Sequence, residues 1–252
     1  STFATMAAFI EENHMTTAEG FKRGNRKHQC NDFKGLPLVA AKPFKPFYVS
    51  PDDLPIVDFD DFECTVKNSR EIFTAPHLII KQSHKNGIFL SEVLDYDAVF
   101  NHSLLGVHGN INKLKYLSVV IGSRVFSYYH ILTNRKWLVE RYELEAGDIW
   151  QTPIPSPSDA EIAEACGIFD KLAISLSKNE KAEQFVRYMY RLKEYESHQI
   201  DDVIDYVYDY FKKKQHSASF EQPSIYSYRL YYDCINEVLT NTFGANTKLN
   251  GD

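Results

Sequence analysis

No two cysteines in this chain stand close enough to form a ligand pair. The four, at positions 30, 64, 166 and 234, contain no C-x-x-C spacing. That argues against zinc sites and dithiol redox motifs, which need close pairs on at least one side. Reduced, mostly buried thiols are the expectation, with no bound metal. Long apolar runs are missing too: none approaches the roughly 20 residues of a membrane span. The N-terminal stretch STFATMAAFIEENHM has no basic head and carries Glu11 and Glu12 early, unlike a secretory signal. A cytoplasmic chain without a membrane partner is expected.

Catalytic signatures are equally scarce. There is no G-x-x-x-x-G-K-[ST] loop for nucleotide phosphates and no G-x-S-x-G elbow for a serine nucleophile. Asp58, Asp60, Asp61 and Glu63 come nearest to a nuclease cluster. Metal-assisted cleavage needs carboxylates converging on a rigid site, whereas these lie in a proline-flanked stretch. Lys67 also follows Glu63 by four residues and not by the two of an E-x-K pattern. The cluster reads as a solvated loop. The scattered histidines, His84, His102 and His108 among them, read as turn or packing residues. No catalytic residue is expected.

What the chain does have is segregated charge. Its 252 residues are 44% hydrophobic and 25% charged, with 17 Phe and 16 Tyr, enough for one large domain or two smaller ones. The net charge of −6 hides two basic windows. Residues 20–47 hold Lys22, Arg23, Arg26, Lys27, Lys34, Lys42 and Lys45 against Asp32. Residues 112–141 hold Lys113, Lys115, Arg124, Arg135, Lys136 and Arg141 against Glu140. Residues 142–211 carry 15 acids and 6 bases, a local charge of −9. Phosphate binding needs a positive surface and not a positive total.

Hydrophobic period and turn signals give an α+β chain. A short helix is expected in TFATMAAFIEEN, and surface loop in PDDLPIVDFDDFE. His77–Lys81 and Ile88–Leu94 read as strands joined across Asn86-Gly87, and AVFNHSLLGVHG reads as further strand. Leu114, Leu117, Ile121, Val125, Tyr128 and Leu132 recur at helical spacing, which predicts one helix over 112–132. Gly147–Pro155 reads as an edge strand ending in prolines. Ser158 and Glu161 fit a capping box opening a helix that carries Ile162, Cys166, Phe169, Leu172 and Leu176. Helices are predicted at 180–196 and 199–213, and a last one from Pro223 to Phe243 closed by Gly244. The domain expectation is an α/β part with a mixed sheet over 1–155, then a helical part over 156–252.

Four pieces of the sequence, in order, resemble the TaqI-type specificity domains of adenine-specific DNA methyltransferases and the specificity subunits of type I restriction enzymes. They are Ala75-Pro76-His77-Leu78-Ile79-Ile80-Lys81; Leu94-Asp95-Tyr96-Asp97-Ala98-Val99-Phe100; the helix from Tyr116 to Tyr129; and Asp148-Ile149-Trp150-Gln151-Thr152-Pro153-Ile154-Pro155. The resemblance implies a target-recognition domain in a restriction-modification system, gripping double-stranded DNA beside a methyltransferase domain or subunit. That domain would bind S-adenosylmethionine and flip out an adenine. Its [DNS]-P-P-[YFW] motif is absent here, so this chain is expected to bind no cofactor and catalyse nothing alone.

The loop residues suit such a role. Lys and Arg neutralise phosphates, while Arg, Asn and Gln make bidentate contacts to base edges. The candidate DNA-binding residues are Lys22, Arg23, Asn25, Arg26, Lys27, His28, Lys85, Asn134, Arg135, Lys136 and Arg141. A competing reading is a protein–protein module whose acidic helical half docks a partner.

Overall fold

The computed structural model describes residues 3–23, 33–41, 50–57, 64–65, 69–85, 87–134, 143–174 and 180–213, with Asp233, 235–237 and Thr240. It divides into two compact units, Ser1–Tyr190 and Arg191–Asp252. The change from mixed to helical structure near residue 156 therefore does not coincide with the division between units.

The first unit is built on a four-stranded antiparallel sheet. Its strands are β2 (Thr16–Glu19), β6 (His77–Lys85), β7 (Ile88–Leu94) and β9 (Leu104–His108), in the order β2-β9-β6-β7. β6 and β7 are the predicted hairpin, and Gly87 at its tip has φ +78°, a conformation that glycine adopts without steric cost. The expected short N-terminal helix is α1 (Met6–Glu12), and short strands pair outside the main sheet. β1 (Phe3–Thr5) runs antiparallel to β10 (Pro153–Pro155), and β3 (Lys22–Arg23) antiparallel to β5 (Cys64–Thr65). β4 (Leu38–Val39) lies parallel to β8 (Val99–Phe100). The chain is thus α+β, as its pattern indicated.

Both faces of the sheet are buried, which explains why β6 opens with the unbroken apolar run Leu78-Ile79-Ile80. Ile79, Leu90, Leu94, Leu104 and Ala18 face a cluster with Phe21, Phe33, Val39, Ile72, Phe73, Val99 and Phe100. Gly106 lies beneath it: a Cβ there would come 2.6 Å from the Phe100 ring and 2.8 Å from Ile72. On the other face, α2 (Ile111–Ile121) packs on β6 and β7. The Ser91 and Ser118 hydroxyls meet there at 2.9 Å, and Phe89 stacks edge-on against Phe126 at 5.3 Å.

The predicted helix over 112–132 is two helices. α2 closes at Gly122, whose N–H donates to Ser118 O, and α3 (Arg124–Thr133) opens with the Ser123 hydroxyl accepting the Phe126 N–H at 3.2 Å. The apolar period runs through the break because Val125 and Phe126 stay in the core, but Leu132 does not follow: it is 63% exposed. The predicted edge strand at 147–155 is also divided. Ala146–Trp150 forms a helical turn, α4, and β10 is confined to Pro153–Pro155. Asp148 starts that turn by accepting the Glu145 N–H at 3.2 Å.

α5 (Asp159–Ile174) opens on the expected Ser158–Glu161 box, with the Ser158 N–H on the Glu161 carboxylate at 2.7 Å. α6 (Glu180–Met189) stops short of the predicted 196. Arg191 at φ +54° ends that stretch, and in the second unit α7 (Glu194–Lys213) begins with the Glu196 carboxylate accepting the Lys193 N–H. Of the predicted last helix, Asp233, Ile235, Asn236, Glu237 and Thr240 are described and helical; Gly244 and the rest lie outside the described residues.

His130 on α3 is 1% exposed, sits between Phe89, Phe126 and Tyr129, and shares a 3.0 Å hydrogen bond with the Thr152 hydroxyl. Burial pushes its pKa from 6.5 down to about 4. Below pH 6.5 the unfolded chain therefore takes a proton that the folded chain refuses, so stability falls as pH drops through that window. Urea unfolding should show a loss of about 2 kcal/mol from this group between pH 7 and pH 5. The His130→Gln variant should lack that share of the acid sensitivity. Equal pH slopes in the two proteins would contradict the assignment.

Candidate nucleic-acid interface

With both faces covered, the first unit has the ends of its sheet left for contacts with a partner. Register decides which segments meet at each end. Glu19 lies opposite Leu105 and Lys81 opposite Leu104, so β2 and β6 leave the sheet in the same direction. The β6–β7 turn and the segment between β8 and β9 lie at that end as well.

The first basic window starts there. Gly20 N–H donates to Leu104 O, Phe21 N–H to Phe100 O, and His102 N–H to Phe21 O, each at 2.9 to 3.0 Å. Lys22 and Arg23 follow in β3, held antiparallel to Cys64–Thr65. Lys22 is exposed and pairs with Glu19 at 3.2 Å, a surface contact worth little, so its ammonium remains available to a phosphate. An apolar pocket of about 260 Å³ opens beside this strand, lined by Phe21, Leu38, Val39, Ala40, Asn101 and His102.

The second window begins in α2 by the opposite end, where the Lys113 ammonium donates to Asn13, and its close returns to this end. Glu143 forms an antiparallel bridge with Ser83, and Leu144 N–H donates to Gln82 O at 3.0 Å. The last described residue of the window is Asn134 at the end of α3, whose amide donates to the Asp148 carboxylate at 2.7 Å. Asn134 therefore serves to tie α3 to α4. Lys85 closes β6 opposite Ile88, and the His84 ring accepts the Gly87 N–H at 3.2 Å, which stabilises the tip.

Of the sequence-predicted residues, Lys22, Arg23 and Lys85 lie at this sheet end and Asn134 lies within the second window at the end of α3. Asn25, Arg26, Lys27, His28, Arg135, Lys136 and Arg141 lie outside the described residues, as do Asp58, Asp60, Asp61 and Glu63. Sequence reasoning passed over Gln82, Ser83, Asn101 and His102, which the register brings to the same place. A signal existed in β6, where three fully buried apolar residues give way to Lys81-Gln82-Ser83-His84-Lys85. Among the described residues no group of three or more His, Cys, Asp or Glu could hold a metal ion, and no described helix is long and apolar enough to cross a membrane.

The four sequence pieces prove to be joined in pairs. Ala75 N–H donates to the Asp97 carboxylate at 2.8 Å, and the buried His77 ring meets the carbonyls of Ile72 and Tyr96. That fixes the first piece to the second. Tyr116 OH donates to Pro155 O at 2.7 Å, and His130 meets Thr152, fixing the helical segment to the closing Pro-Ile-Pro.

No protein-family model and no curated protein matches the chain. Among solved structures it is similar to the HsdS subunit from Thermoanaerobacter tengcongensis, at 12% identity and a TM-score of 0.39 over 83% of this chain and 44% of that one. It is also similar to a chain from a study of complex assembly and conformational transition in the type I R-M system, at 11% identity and a TM-score of 0.32 over 82% of this chain and 50% of that one. The chain spans about half the length of the solved chains it matches. At such identity the likeness says nothing of what this chain binds.

The lead into the interface depends on Gly20. A Cβ there would lie 2.3 Å from the carbonyl oxygens of both Phe100 and Asn101. Backbone on both sides cannot yield, so Gly20→Ala should destabilise by about 2–3 kcal/mol, the upper range for overpacking. Gly147→Ala, with open space around its new methyl, should be neutral or slightly stabilising. Equal urea midpoints for the two variants would contradict this packing.

Proposed function

We propose that the chain is the target-recognition part of a DNA restriction-modification system and grips duplex DNA at the hairpin end of its main sheet. The observation that carries this is the common anchorage of the start of the first basic window and the end of the second. Lys22 and Arg23 of the first, and Glu143 just after the second, are both fastened at the Leu104 end of the sheet. The sequence pieces that resemble specificity domains support the same reading, since they build the frame that anchors both windows.

Binding on this reading has two components. Arg26, Lys27, Arg135 and Lys136 neutralise phosphates and set register, and polar side chains at the sheet end contact base edges. Methyl transfer belongs to a separate domain or subunit that binds S-adenosylmethionine, which this chain lacks the motif to do. A rigid frame carrying recognition loops suits such a division, because loops vary without disturbing the core.

Fluorescence anisotropy of duplex binding over a range of salt concentrations tests this. The logarithm of the affinity should fall by about 0.9 per phosphate contact for each tenfold rise in salt. Replacing Arg26, Lys27, Arg135 and Lys136 together by alanine should shallow that slope by roughly three to four units. The chain alone should transfer no methyl group from labelled S-adenosylmethionine to DNA. A quadruple variant with the wild-type slope, or methyl transfer by the isolated chain, would overturn the reading.

A further inference from the structure

Strand β6 changes character partway along. Leu78, Ile79 and Ile80 are fully buried, whereas Lys81, Gln82 and Ser83 are half-exposed and polar. Pairing with β9 ends at Lys81. Pairing with β7 is interrupted in the same stretch: Ile80 lies opposite Ser91 and His84 opposite Phe89, so four steps along β6 match two along β7. A bulge of this kind bends the strand and re-aims its side chains.

The bulge is held by backbone. Leu144 N–H on Gln82 O and the Ser83–Glu143 bridge supply main-chain partners in place of the lost ladder. Among the described residues, the side chains of Lys81, Gln82 and Ser83 make no hydrogen bond or ion pair. His84, next in line, is used within the turn by accepting the Gly87 N–H. The strand therefore departs from regular pairing and presents a carboxamide, an ammonium and a hydroxyl that no hydrogen bond or ion pair engages.

We infer that the bulged stretch Lys81-Gln82-Ser83 is a base-reading edge, with the Gln82 carboxamide as the group that discriminates one base pair. A glutamine amide carries a donor and an acceptor side by side, which matches N7 and N6 of adenine in the major groove, and the tip of the β6–β7 hairpin, beyond the last pairing with β9 at Lys81, is the part offered to that groove. Lys81 adds positive charge and Ser83 a second, less selective contact. This rests on the duplex-binding reading and goes beyond it by naming the groups that read sequence, as distinct from those that grip phosphate.

The experiment is selection of binding sites from a randomised duplex pool by the full chain, by Gln82→Ala and by Gln82→Glu. The wild type should yield a preferred sequence. Gln82→Ala should keep its salt slope and its affinity for the unselected pool, while preference at one base pair falls by about 5- to 150-fold. Gln82→Glu should move that position towards cytosine, whose amino group a carboxylate accepts. Since Gln82 meets Leu144 through its carbonyl, both variants retain the bulge's backbone bonds. The same preferred sequence from all three proteins, or a wild type that binds every duplex alike, would overturn this inference and leave duplex binding standing. No duplex binding by the wild type would overturn both.

Discussion

Burial of the main sheet on both faces is the constraint on which the rest of the molecule depends. The sheet presents apolar side chains above and below, to the cluster around Phe73 and Phe100 on one side, and from β6 and β7 to α2, with α3 against β7, on the other. A sheet so enclosed offers an external partner its ends and edges. The antiparallel order then fixes which loops share an end, because β2 and β6, flanking β9 and both antiparallel to it, must leave the sheet at the same end. Close packing tightens the arrangement further. Gly106 lets Ile72 and Phe100 settle onto the sheet, and Gly20 lets the chain pass against the Phe100 and Asn101 carbonyls on its way to Lys22.

The residue types in the four sequence pieces follow from that frame. Asp97 is an aspartate because its carboxylate satisfies the Ala75 N–H where the chain enters β6. Tyr116 is a tyrosine because its ring is fully buried and its hydroxyl reaches Pro155 O; burial raises its pKa and keeps the phenol a donor. Asp148 receives both the Glu145 N–H and the Asn134 amide, so one carboxylate starts α4 and secures the end of α3. Each such hydrogen bond contributes about 1 kcal/mol net, yet each leaves a costly unpaired group if one partner is lost. The motif is the trace of a hydrogen-bonded frame.

Much of this was legible in the sequence, and the reasons for the exceptions are local. The hairpin was readable because Asn86-Gly87 separates two apolar runs. The Ser158–Glu161 box was readable because its two halves lie within one turn. The break at Gly122-Ser123 was hidden because Val125 and Phe126 sustain the apolar period beyond it, and the capping serine was masked by that rhythm. α4 was hidden because Ile149 and Trp150 before the prolines read as strand, while the residue that opens the turn in a reciprocal box with Asp148 is Glu145, not one of the usual capping residues. The basic windows stood out as charge, but their shared anchorage depends on antiparallel register among segments far apart in sequence. The bulge at Lys81–Ser83 left no pattern beyond a change from apolar to polar, and only strand pairing shows what that change means.

Hydrogen exchange with and without a duplex bound most directly tests the claim that DNA engages one end of this sheet. Protection should gather at residues 20–23, 82–87, 101–103 and 143–144. Residues 13–15, 69–76, 95–98 and 109–110, at the other end, should exchange as they do in the free protein. Protection confined to that other end, or to the acidic helices α5 to α7, would contradict the account.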